Sequence, residues 1–284
     1  MLAYRHAFHA GNHGDVLKHV VLVALLAHLN LKDKGWRYVD THAGAGGYSL
    51  ASAYAKKNGE FRDGIGRLWA APDAPPAVAE YVQRVREFNA GEALRQYPGS
   101  PALAGAAMRL QDQLRLFELH PTDHKILSGY LGAQPGVEVA MSDGFAALER
   151  VLPPPTRRGL TLIDPSYELK SDYPKVLTAL RTALARFADG LVMVWAPQVQ
   201  LIEATQLPRR LKAAAEGVAK TGWLQARLTV RGAAADGFGM LGSSVFVANP
   251  PHTLEPALRQ ALPWLAQQLA QDCHAGWQVD SHTR

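Results

Sequence analysis

The stretch that most constrains the fold is residues 159–167, which read Gly-Leu-Thr-Leu-Ile-Asp-Pro-Ser-Tyr. Its apolar and β-branched residues are followed at once by an acid and a proline. This pattern is typical of a buried parallel strand that ends at a turn. Because proline cannot continue a central strand, we expect Asp164 to lie at the carboxyl edge of a sheet. Open α/β sheets bind their ligands at that edge.

The composition is that of a globular protein with one large domain, or one domain that carries an insertion. The chain has 284 residues, of which 48% are hydrophobic and 19% charged. Its formal net charge of +5 is compatible with a nucleic-acid partner but does not establish one. A single cysteine, Cys273, is typical of a reducing compartment, so we expect a cytoplasmic protein. The longest apolar run, residues 20–27, is too short to cross a bilayer, and we expect neither a signal peptide nor a membrane partner.

Strand patterns alternate with helix patterns along most of the chain, which predicts an α/β fold with a mostly parallel, seven-stranded sheet. The predicted strands are 36–40, 114–118, 137–141, 160–163, 191–195, 224–230 and 243–248. Outside the first connection, the predicted helices are 12–31, 100–109, 173–187, 201–216 and 254–269, and the last of these is expected to end the fold.

The connection after the first strand is unusually long and looks helical, with helices predicted at 48–57, 62–70 and 75–89. We therefore predict a core made of residues 1–47 and 98–284, with residues 48–97 as an inserted helical subdomain. Residues 1–14 have no clean periodicity, and we expect them to form a mobile amino-terminal arm.

A glycine-rich loop, Thr-His-Ala-Gly-Ala-Gly-Gly, follows the first strand at residues 41–47. Glycines allow a backbone to approach a ligand closely, and Gly44 is a candidate contact. A dinucleotide fingerprint starting there would require glycine where Ser49 stands, and an acid ending a strand about 20 residues on, which is absent. The loop instead resembles motif I of S-adenosylmethionine-dependent methyltransferases. His42 replaces the first glycine of that motif, so we expect its side chain to contact the cofactor.

Acids at two further strand ends suit the same cofactor. Glu118 follows the delayed second strand, and a carboxylate there can accept both hydroxyl protons of a ribose. Asp143 follows the third strand and would accept an adenine amino group, while Gly144 leaves room for the ring.

The tetrapeptide Asp164-Pro165-Ser166-Tyr167 resembles the catalytic motif of amino-directed adenine methyltransferases, Asp/Asn-Pro-Pro followed by an aromatic residue. The Asp164 carboxylate and the Pro165 carbonyl would each accept one N–H of the amine and turn its lone pair toward the methyl group. The Tyr167 ring would stack on an extruded base, which is worth about 1–3 kcal/mol. The alternative is a strand followed by an ordinary Asp-Pro turn.

The amino-terminal segment contains several further candidates. The spacing of three histidines (His6, His9 and His13) allows a metal site, but no carboxylate or cysteine joins them locally, and we expect no metal. Lys18 and His19 fall in the first turns of the following helix and could face a ligand. The alternative is a solvated lysine and a packed histidine.

Six stretches jointly resemble the RlmJ family, bacterial methyltransferases acting on N6 of adenine 2030 in 23S ribosomal RNA. These stretches are 4–18, 40–46, 98–101, 117–121, 143–144 and 164–168, and the resemblance covers essentially the whole chain. It implies a Rossmann-like class I S-adenosylmethionine-dependent methyltransferase core and a catalytic Asp164. It further implies that Tyr4 and His6 fold over the target base and that Lys18 belongs to the active site. The implied cofactor contacts are His19, His42, Ser100, Glu118, Asp143, Gly144 and Asp164.

The expected reaction is direct, in-line methyl transfer to a flipped-out adenine, with S-adenosylhomocysteine as product and no covalent enzyme intermediate. The expected partner is 23S ribosomal RNA, and a monomer is expected. Ser166 replaces the usual second proline, which affects loop rigidity and substrate fit rather than the groups that touch the amine. The alternatives are a DNA adenine methyltransferase and a non-catalytic RNA-binding protein. Basic residues that could contact RNA phosphates, or form solvated surface, are Arg157, Arg158, Arg209, Arg210 and Lys212.

Overall fold

The computed structural model describes residues 6–52, 55, 59–91, 93–234, 237 and 239–283. Tyr4 and the rest of residues 1–5 lie outside these ranges. In the described part of the predicted arm, His6–Phe8 form one turn of 3-10 helix, and Gly11 and Asn12 are buried. None of the described helices is both long and apolar enough to span a membrane.

Ten strands occur in the described residues, and eight of them form the main sheet. The strands are β1 Arg37–Asp40, β2 Gly47–Ser49, β3 Gln96–Pro98, β4 Gln113–Phe117, β5 Val137–Ala140, β6 Gly159–Ile163, β7 Leu191–Gln198, β8 Gly222–Thr229, β9 Gly242–Ala248 and β10 Gly276–Thr283. The order in the main sheet is β10-β8-β9-β7-β6-β1-β4-β5. The five neighbouring strands β7, β6, β1, β4 and β5 are parallel to one another. The pairs β7–β9, β9–β8 and β8–β10 are antiparallel.

This topology is the predicted Rossmann-like arrangement. The chain crosses from β1 to β4 on one side and returns to β6 on the other, so the strand order reverses between β1 and β6. Such a switch point opens a crevice outside the carboxyl ends of the strands, where ligands of these folds bind. A ligand site is therefore expected at the residues that follow β1 and β6.

The main sheet has eight strands rather than the predicted seven, because β10 follows the last helix and pairs with β8. Its sequence is largely polar and only Val279 is buried, so it lacks the apolar alternation by which a strand is recognised. Strand β7 also continues through Pro197 to Gln198, past its predicted end. Beyond Val194 it pairs with β9 alone, so the missing N–H of proline faces no neighbouring strand.

Helices cover both faces of the sheet. They are α1 His13–Asn30, α2 Ile65–Leu68, α3 Pro76–Phe88, α4 Ser100–Ala107, α5 Pro121–Leu131, α6 Gly144–Val151, α7 Asp172–Arg186, α8 Ile202–Ala215 and α9 Leu254–Gln268. Apolar residues of α1, α3, α5 and α9 form one core cluster with one face of the strands. Residues of α6, α7 and α8 form a second cluster with the opposite face. Helix α1 is buried along most of its length, which fits the apolar run at residues 20–27.

The long connection after β1 is only partly helical. Strands β2 and β3 form an antiparallel ribbon, so the helix predicted for 48–57 is wrong at its start, where Tyr48 pairs with Tyr97. The helix predicted for 62–70 is a 3-10 helix, Glu60–Asp63, followed by the short α2, whereas α3 matches the prediction. Buried residues of α3 share a core cluster with α1. The division into a core and an inserted subdomain stays a prediction.

Candidate active site

Two carboxylates meet the crevice at the switch point, Asp40 at the end of β1 and Asp164 directly after β6. In the parallel register Asp40 pairs with Leu162, so Asp164 extends slightly beyond it. Asp164 retains access to solvent, with 13% of its side chain exposed. The prediction that Asp164 ends a buried strand at the carboxyl edge is confirmed.

The first turns of α1 bring Lys18 to Asp164. Asn12 caps the helix by accepting hydrogen bonds from the backbone N–H groups of Gly14 and Asp15. Lys18 Nζ then lies 2.7 Å from Asp164 Oδ2 and 2.8 Å from Asp15 Oδ1. Lys18 is only 5% exposed, so this is a buried ammonium held between two carboxylates rather than a solvated surface lysine.

Asp15 extends the cluster to the amino-terminal turn. Its Oδ2 lies 2.9 Å from His6 Nε2 and accepts a hydrogen bond from the Gly11 N–H. The structure thus joins His6 and Asp164 through Asp15 and Lys18, and Asp15 is not among the site residues predicted from the sequence. The signal that could have revealed it is the i,i+3 spacing of Asp15 and Lys18, which places an acid and a base on one helix face.

The charges of this cluster stabilise one another. Burial lowers the pKa of Lys18, but Asp15 and Asp164 more than offset this, and the net result is a pKa well above the ordinary lysine value. Burial likewise raises the pKa of Asp15, but His6 and Lys18 outweigh that effect and bring the pKa well below the ordinary value. Lys18 is therefore charged, and one ammonium serves two carboxylates.

Tyr167 lies inside the core rather than facing the crevice. It is 7% exposed, and its ring centroid is 5.0 Å from that of Tyr173 and 6.1 Å from that of Trp195. Its hydroxyl donates a hydrogen bond to the Trp195 carbonyl over 2.6 Å. The ring face predicted to stack on a base is therefore covered. Tyr167 instead fixes the backbone of Trp195.

Trp195 was missed by sequence reasoning. Its indole Nε1 donates to the Gly14 carbonyl, and its ring centroid lies 5.7 Å from Lys18 Nζ. It is half-buried. The structure thus places a partly exposed aromatic ring beside the Lys18–Asp164 pair, on β7 next to β6.

Asp40 ties three segments together from a fully buried position. It accepts hydrogen bonds from the Tyr38 hydroxyl at 2.7 Å, the Ser100 hydroxyl at 2.6 Å and the His42 N–H at 3.2 Å. Burial raises the pKa of Asp40 to about 6. Ser100, a predicted cofactor contact, therefore uses its hydroxyl proton to bind Asp40 and anchors the start of α4 against the glycine-rich loop.

Glu118 lies against the glycine-rich loop, as a cofactor ligand at the next strand end would. Its Oε2 accepts a hydrogen bond from the Gly44 N–H at 2.8 Å, and its Oε1 accepts one from the His120 N–H at 2.6 Å. Burial raises the pKa of Glu118. Gly44 has a φ of +62°, and a Cβ there would come within 2.3 Å of the Tyr48 hydroxyl, so the loop requires glycine.

Asp143 and His42 flank the next part of the crevice. Asp143 is exposed and caps α6 by accepting a hydrogen bond from the Phe145 N–H at 2.8 Å. A Cβ at Gly144 would lie 2.1 Å from the Thr41 carbonyl oxygen, so α6 packs directly on the backbone that leaves β1. His42 packs edge-on against Phe145, and burial lowers the pKa of its imidazole to about 4.

His19 is fully buried beneath the loop. Its Nδ1 lies 2.8 Å from the Tyr97 hydroxyl, whereas its Nε2 has no hydrogen-bond partner within the part of the chain that the structure describes. Burial lowers the pKa of His19 to about 3, so the ring is neutral. A buried imidazole nitrogen without a partner is costly to maintain, which favours a ligand at this position.

The buried, neutral His19 predicts how the free energy of unfolding depends on pH. The pKa of His19 is about 3 in the folded protein, below its unfolded value near 6.5, so acid protonates the unfolded chain first. His19 therefore contributes full stability above pH 6.5 and loses about 2 kcal/mol of it between pH 6.5 and 4.5. Urea unfolding at several pH values should show that the free energy of unfolding falls less steeply with decreasing pH for His19→Gln than for the wild type.

The matched control is His274→Gln, which removes an exposed histidine. The pKa of Asp40 is raised in the folded protein, so Asp40 increases the free energy of unfolding as the pH falls over this range. Each variant is therefore compared with the wild type, which contains the same Asp40. Equal slopes for His19→Gln, His274→Gln and the wild type would contradict the assignment of His19 as a buried neutral histidine.

The three amino-terminal histidines do not converge. His6 contacts Asp15, His9 contacts Glu60 at 3.0 Å, and His13 is buried elsewhere in the first turn of α1. Among the described residues, no group of three or more histidine, cysteine or acidic side chains is arranged to hold a metal ion.

Comparison with known proteins places this site in a family. Residues 33–283 match the family model described as ribosomal RNA large subunit methyltransferase D, RlmJ. The chain belongs to the RlmJ family. The resemblance that the motifs predict is thereby confirmed, including its extent over nearly the whole sequence.

Individual proteins are similar to this chain over nearly their whole length. The chain is 43% identical to ribosomal RNA large subunit methyltransferase J of Haemophilus influenzae, over 99% of this chain and 98% of that protein. It is also 43% identical to the protein of the same name from Escherichia coli, over 95% and 94% of the two chains. The crystal structure of protein LPL1258 from Legionella pneumophila superposes with a TM-score of 0.87 at 33% identity, covering 96% and 98%.

The residues around the crevice fit S-adenosylmethionine. Three features suit different parts of that molecule: the Glu118 carboxylate beside the loop, the exposed Asp143 carboxylate and the partnerless His19 Nε2. Carboxylates accept hydroxyl and amino protons, and a neutral imidazole nitrogen can donate or accept one hydrogen bond. Glu118 and Asp143 follow neighbouring parallel strands, at the same carboxyl edge of the sheet as Asp164, which is where a single ligand would contact all three.

Proposed function

We propose that this protein transfers a methyl group from S-adenosylmethionine to N6 of one adenine in 23S ribosomal RNA, the position equivalent to adenine 2030. The observation that carries the proposal is Asp164, fixed by Lys18 at the switch point and followed by Pro165 and Tyr167. Membership of the RlmJ family supports RNA over DNA as the substrate. A cytoplasmic location fits the single, unpaired cysteine.

Asp164 has the free acceptor that an adenine amine requires. Its Oδ2 binds Lys18, whereas its Oδ1 accepts no hydrogen bond from any described residue. One amine N–H would bind Oδ1 and the other the Pro165 carbonyl, which directs the N6 lone pair out of the ring plane. Holding a reactant in such an orientation supplies a substantial part of the rate enhancement.

The charge of the cluster favours the transition state. Asp15 contacts both His6 and Lys18, whereas among the described residues Asp164 contacts Lys18 alone and keeps one carboxylate oxygen for the substrate. When bound, S-adenosylmethionine supplies the methyl group, which N6 takes up directly. Positive charge develops on N6 as it does so, and the adjacent Asp164 carboxylate, held in place by Lys18, stabilises that charge. Lys18 orients Asp164 through their ion pair, and no earlier deprotonation of the amine is needed.

The amino-terminal segment would close over the base once it has left its stack. We assign this role to His6, held by Asp15, and to Tyr4, which lies outside the described residues. Because the Tyr167 ring is covered, the half-buried Trp195 ring beside Lys18 supplies aromatic surface at the site, and Tyr167 supports it from the core.

Glu118→Gln is expected to weaken binding of S-adenosylhomocysteine by about 10-fold or more. The change preserves shape but replaces one carboxylate oxygen by an N–H donor, so a ribose hydroxyl loses an acceptor, and the Gly44 and His120 N–H groups lose a charged partner. Isothermal titration calorimetry measures the affinity. Glu138→Gln is the control, since Glu138 is exposed on the neighbouring strand. Equal affinities for both variants would remove Glu118 from the cofactor site.

The proposed substrate class is tested by methyl transfer from labelled S-adenosylmethionine to unmodified large-subunit ribosomal RNA, with duplex DNA in parallel. We expect incorporation into RNA only. Incorporation into DNA alone would instead support a DNA adenine methyltransferase, which shares the same catalytic groups.

A further inference from the structure

A polar cleft lies between α8 and the outer strands β8 and β10, away from the crevice at β1 and β6. Its volume is about 260 Å³. Strand β8 is three positions from β6 in the sheet, about 14 Å at the usual strand spacing. The residues that line it and carry the argument are Arg209, Lys212, Gln225, Arg227, Gln278 and Asp280.

The cleft has more positive than negative charge. Lys212 Nζ pairs with Asp280 Oδ2 at 2.8 Å and lies over the Trp223 ring. Arg209 and Arg227 also line the cleft, and within the described chain neither guanidinium forms an ion pair or a hydrogen bond. Two of the three cations therefore have unused donors, whereas the one carboxylate is already paired.

Gln225 supplies a buried donor to the same cleft. It is only 5% exposed, and its Nε2 has no hydrogen-bond partner in the described part of the chain. A buried amide without a hydrogen-bond partner destabilises the folded protein. An acceptor bound in the cleft would remove this cost. Guanidinium and amide donors together suit an anion rich in acceptor oxygens, such as a phosphate group.

The polar character of this surface is unusual for its place in the fold. Alternate residues of β8 face α8, and these are Trp223, Gln225, Arg227 and Thr229, whereas Leu224, Ala226 and Leu228 enter the apolar core on the other face. A sheet face beneath a helix is normally apolar, as it is at Val192 and Val194 of β7. Burial of polar groups here therefore requires an explanation other than packing.

The cleft is within reach of a polymer that occupies the crevice. Thr229 pairs with Gly242, and Gly242 pairs with Gln198 at the carboxyl end of β7, so the end of β8 lies at the same sheet edge as Asp164. Arg227 is two residues from that edge, about 7 Å along the strand. A chain of nucleotides along this edge could contact both places.

We propose that this cleft binds a backbone phosphate of the RNA substrate, at a distance from the methylated base. The inference rests on the proposed function, in that RNA is the substrate. It also separates the basic residues that the sequence grouped together. Arg158 donates to the carbonyls of Leu29 and Lys34 and is structural, Arg210 binds Gln206 on the outer surface of α8, and Arg209 and Lys212 line the cleft.

The test uses the full chain and a fluorescein-labelled fragment of large-subunit ribosomal RNA, with binding followed by anisotropy over a range of salt concentrations. Arg209→Gln/Arg227→Gln is expected to weaken binding about 10-fold and to reduce the slope of log affinity against log salt by about one. Arg210→Gln, which removes the adjacent cation of α8, should leave both quantities at wild-type values. Arg209→Glu, at an exposed position, repeats the test without disturbing the core.

Labelled oligouridylate, which has the backbone but no adenine, separates this proposal from the proposed function. If the affinity for oligouridylate falls in the Arg209→Gln/Arg227→Gln variant, the phosphate site is supported even if no adenine is methylated. Equal RNA affinity and salt slope for the double variant and the wild type would overturn the site while leaving methylation intact. A further result would also overturn the proposal: inorganic phosphate raises the Tm of the wild type, but the double variant binds RNA as tightly as the wild type does. The cleft would then bind a free anion only.

Discussion

Asp164→Ala is expected to reduce kcat for methyl transfer by at least two to three orders of magnitude, with binding of S-adenosylhomocysteine largely retained. The carboxylate provides the free Oδ1 acceptor for the amine and the negative charge that opposes the charge developing on N6. Preorganised electrostatic groups of this kind are typically worth 10²–10³ in kcat. Single-turnover transfer to ribosomal RNA measures the rate, and calorimetry measures cofactor affinity.

The control for this variant is Asp189→Ala, which removes an exposed carboxylate paired with Lys220. It should transfer methyl groups at the wild-type rate. If Asp164→Ala retained a kcat near that of the wild type, Asp164 would not be the group that orients the amine.

Lys18→Met is expected to lower the free energy of unfolding by about 3–5 kcal/mol and to reduce kcat more than 10-fold. Lys18 is 5% exposed, and its removal leaves Asp15 and Asp164 without their shared cation. Breaking a buried ion pair by deleting one member leaves an uncompensated charge, which costs this much. The control is Lys175→Met at an exposed, weakly paired lysine, for which about 0–1 kcal/mol is expected.

A double variant separates charge from packing. In Lys18→Met/Asp15→Asn the uncompensated Asp15 charge is removed together with the ammonium, so it should be more stable than Lys18→Met alone. Urea unfolding measures both. If the second substitution instead added its own destabilisation in full, the cluster would be held by shape rather than by charge.

The positions of the strand-end acids could be predicted from the sequence because each follows a local pattern. Asp164 follows a buried apolar run and precedes proline, and Glu118 and Asp143 follow strands in which apolar residues alternate with polar ones. The parallel arrangement then brings the ends of consecutive strands to one edge. Local pattern and topology together were sufficient to locate this edge.

The links between these acids and the rest of the chain were not predictable in this way. Trp195 acts through a partner that is distant in sequence, since its hydrogen bond to Gly14 spans 181 residues, and Lys18 reaches Asp164 across 146 residues. The motif predicts that the Tyr167 ring stacks on an extruded base, yet Tyr167 has a φ of +55° and its side chain is buried in the core. Such orientations depend on backbone geometry that no spacing reveals.

The errors in secondary structure have a related origin. Strand β10 is polar because it is an edge strand with one buried residue, and β2 is a three-residue strand whose partner β3 lies almost 50 residues away. In both cases the pairing partner determines the structure, while the local sequence carries little apolar alternation.

The most direct test of the account is to identify the modified nucleotide. Large-subunit ribosomal RNA lacking the modification would be incubated with wild-type protein and S-adenosylmethionine, digested with a sequence-specific ribonuclease and mapped by mass spectrometry, with Asp164→Ala in parallel. The account predicts N6-methyladenine at a single adenine with the wild type, and none with the variant. A methyl group on another atom or another base, or equal methylation by the variant, would contradict it.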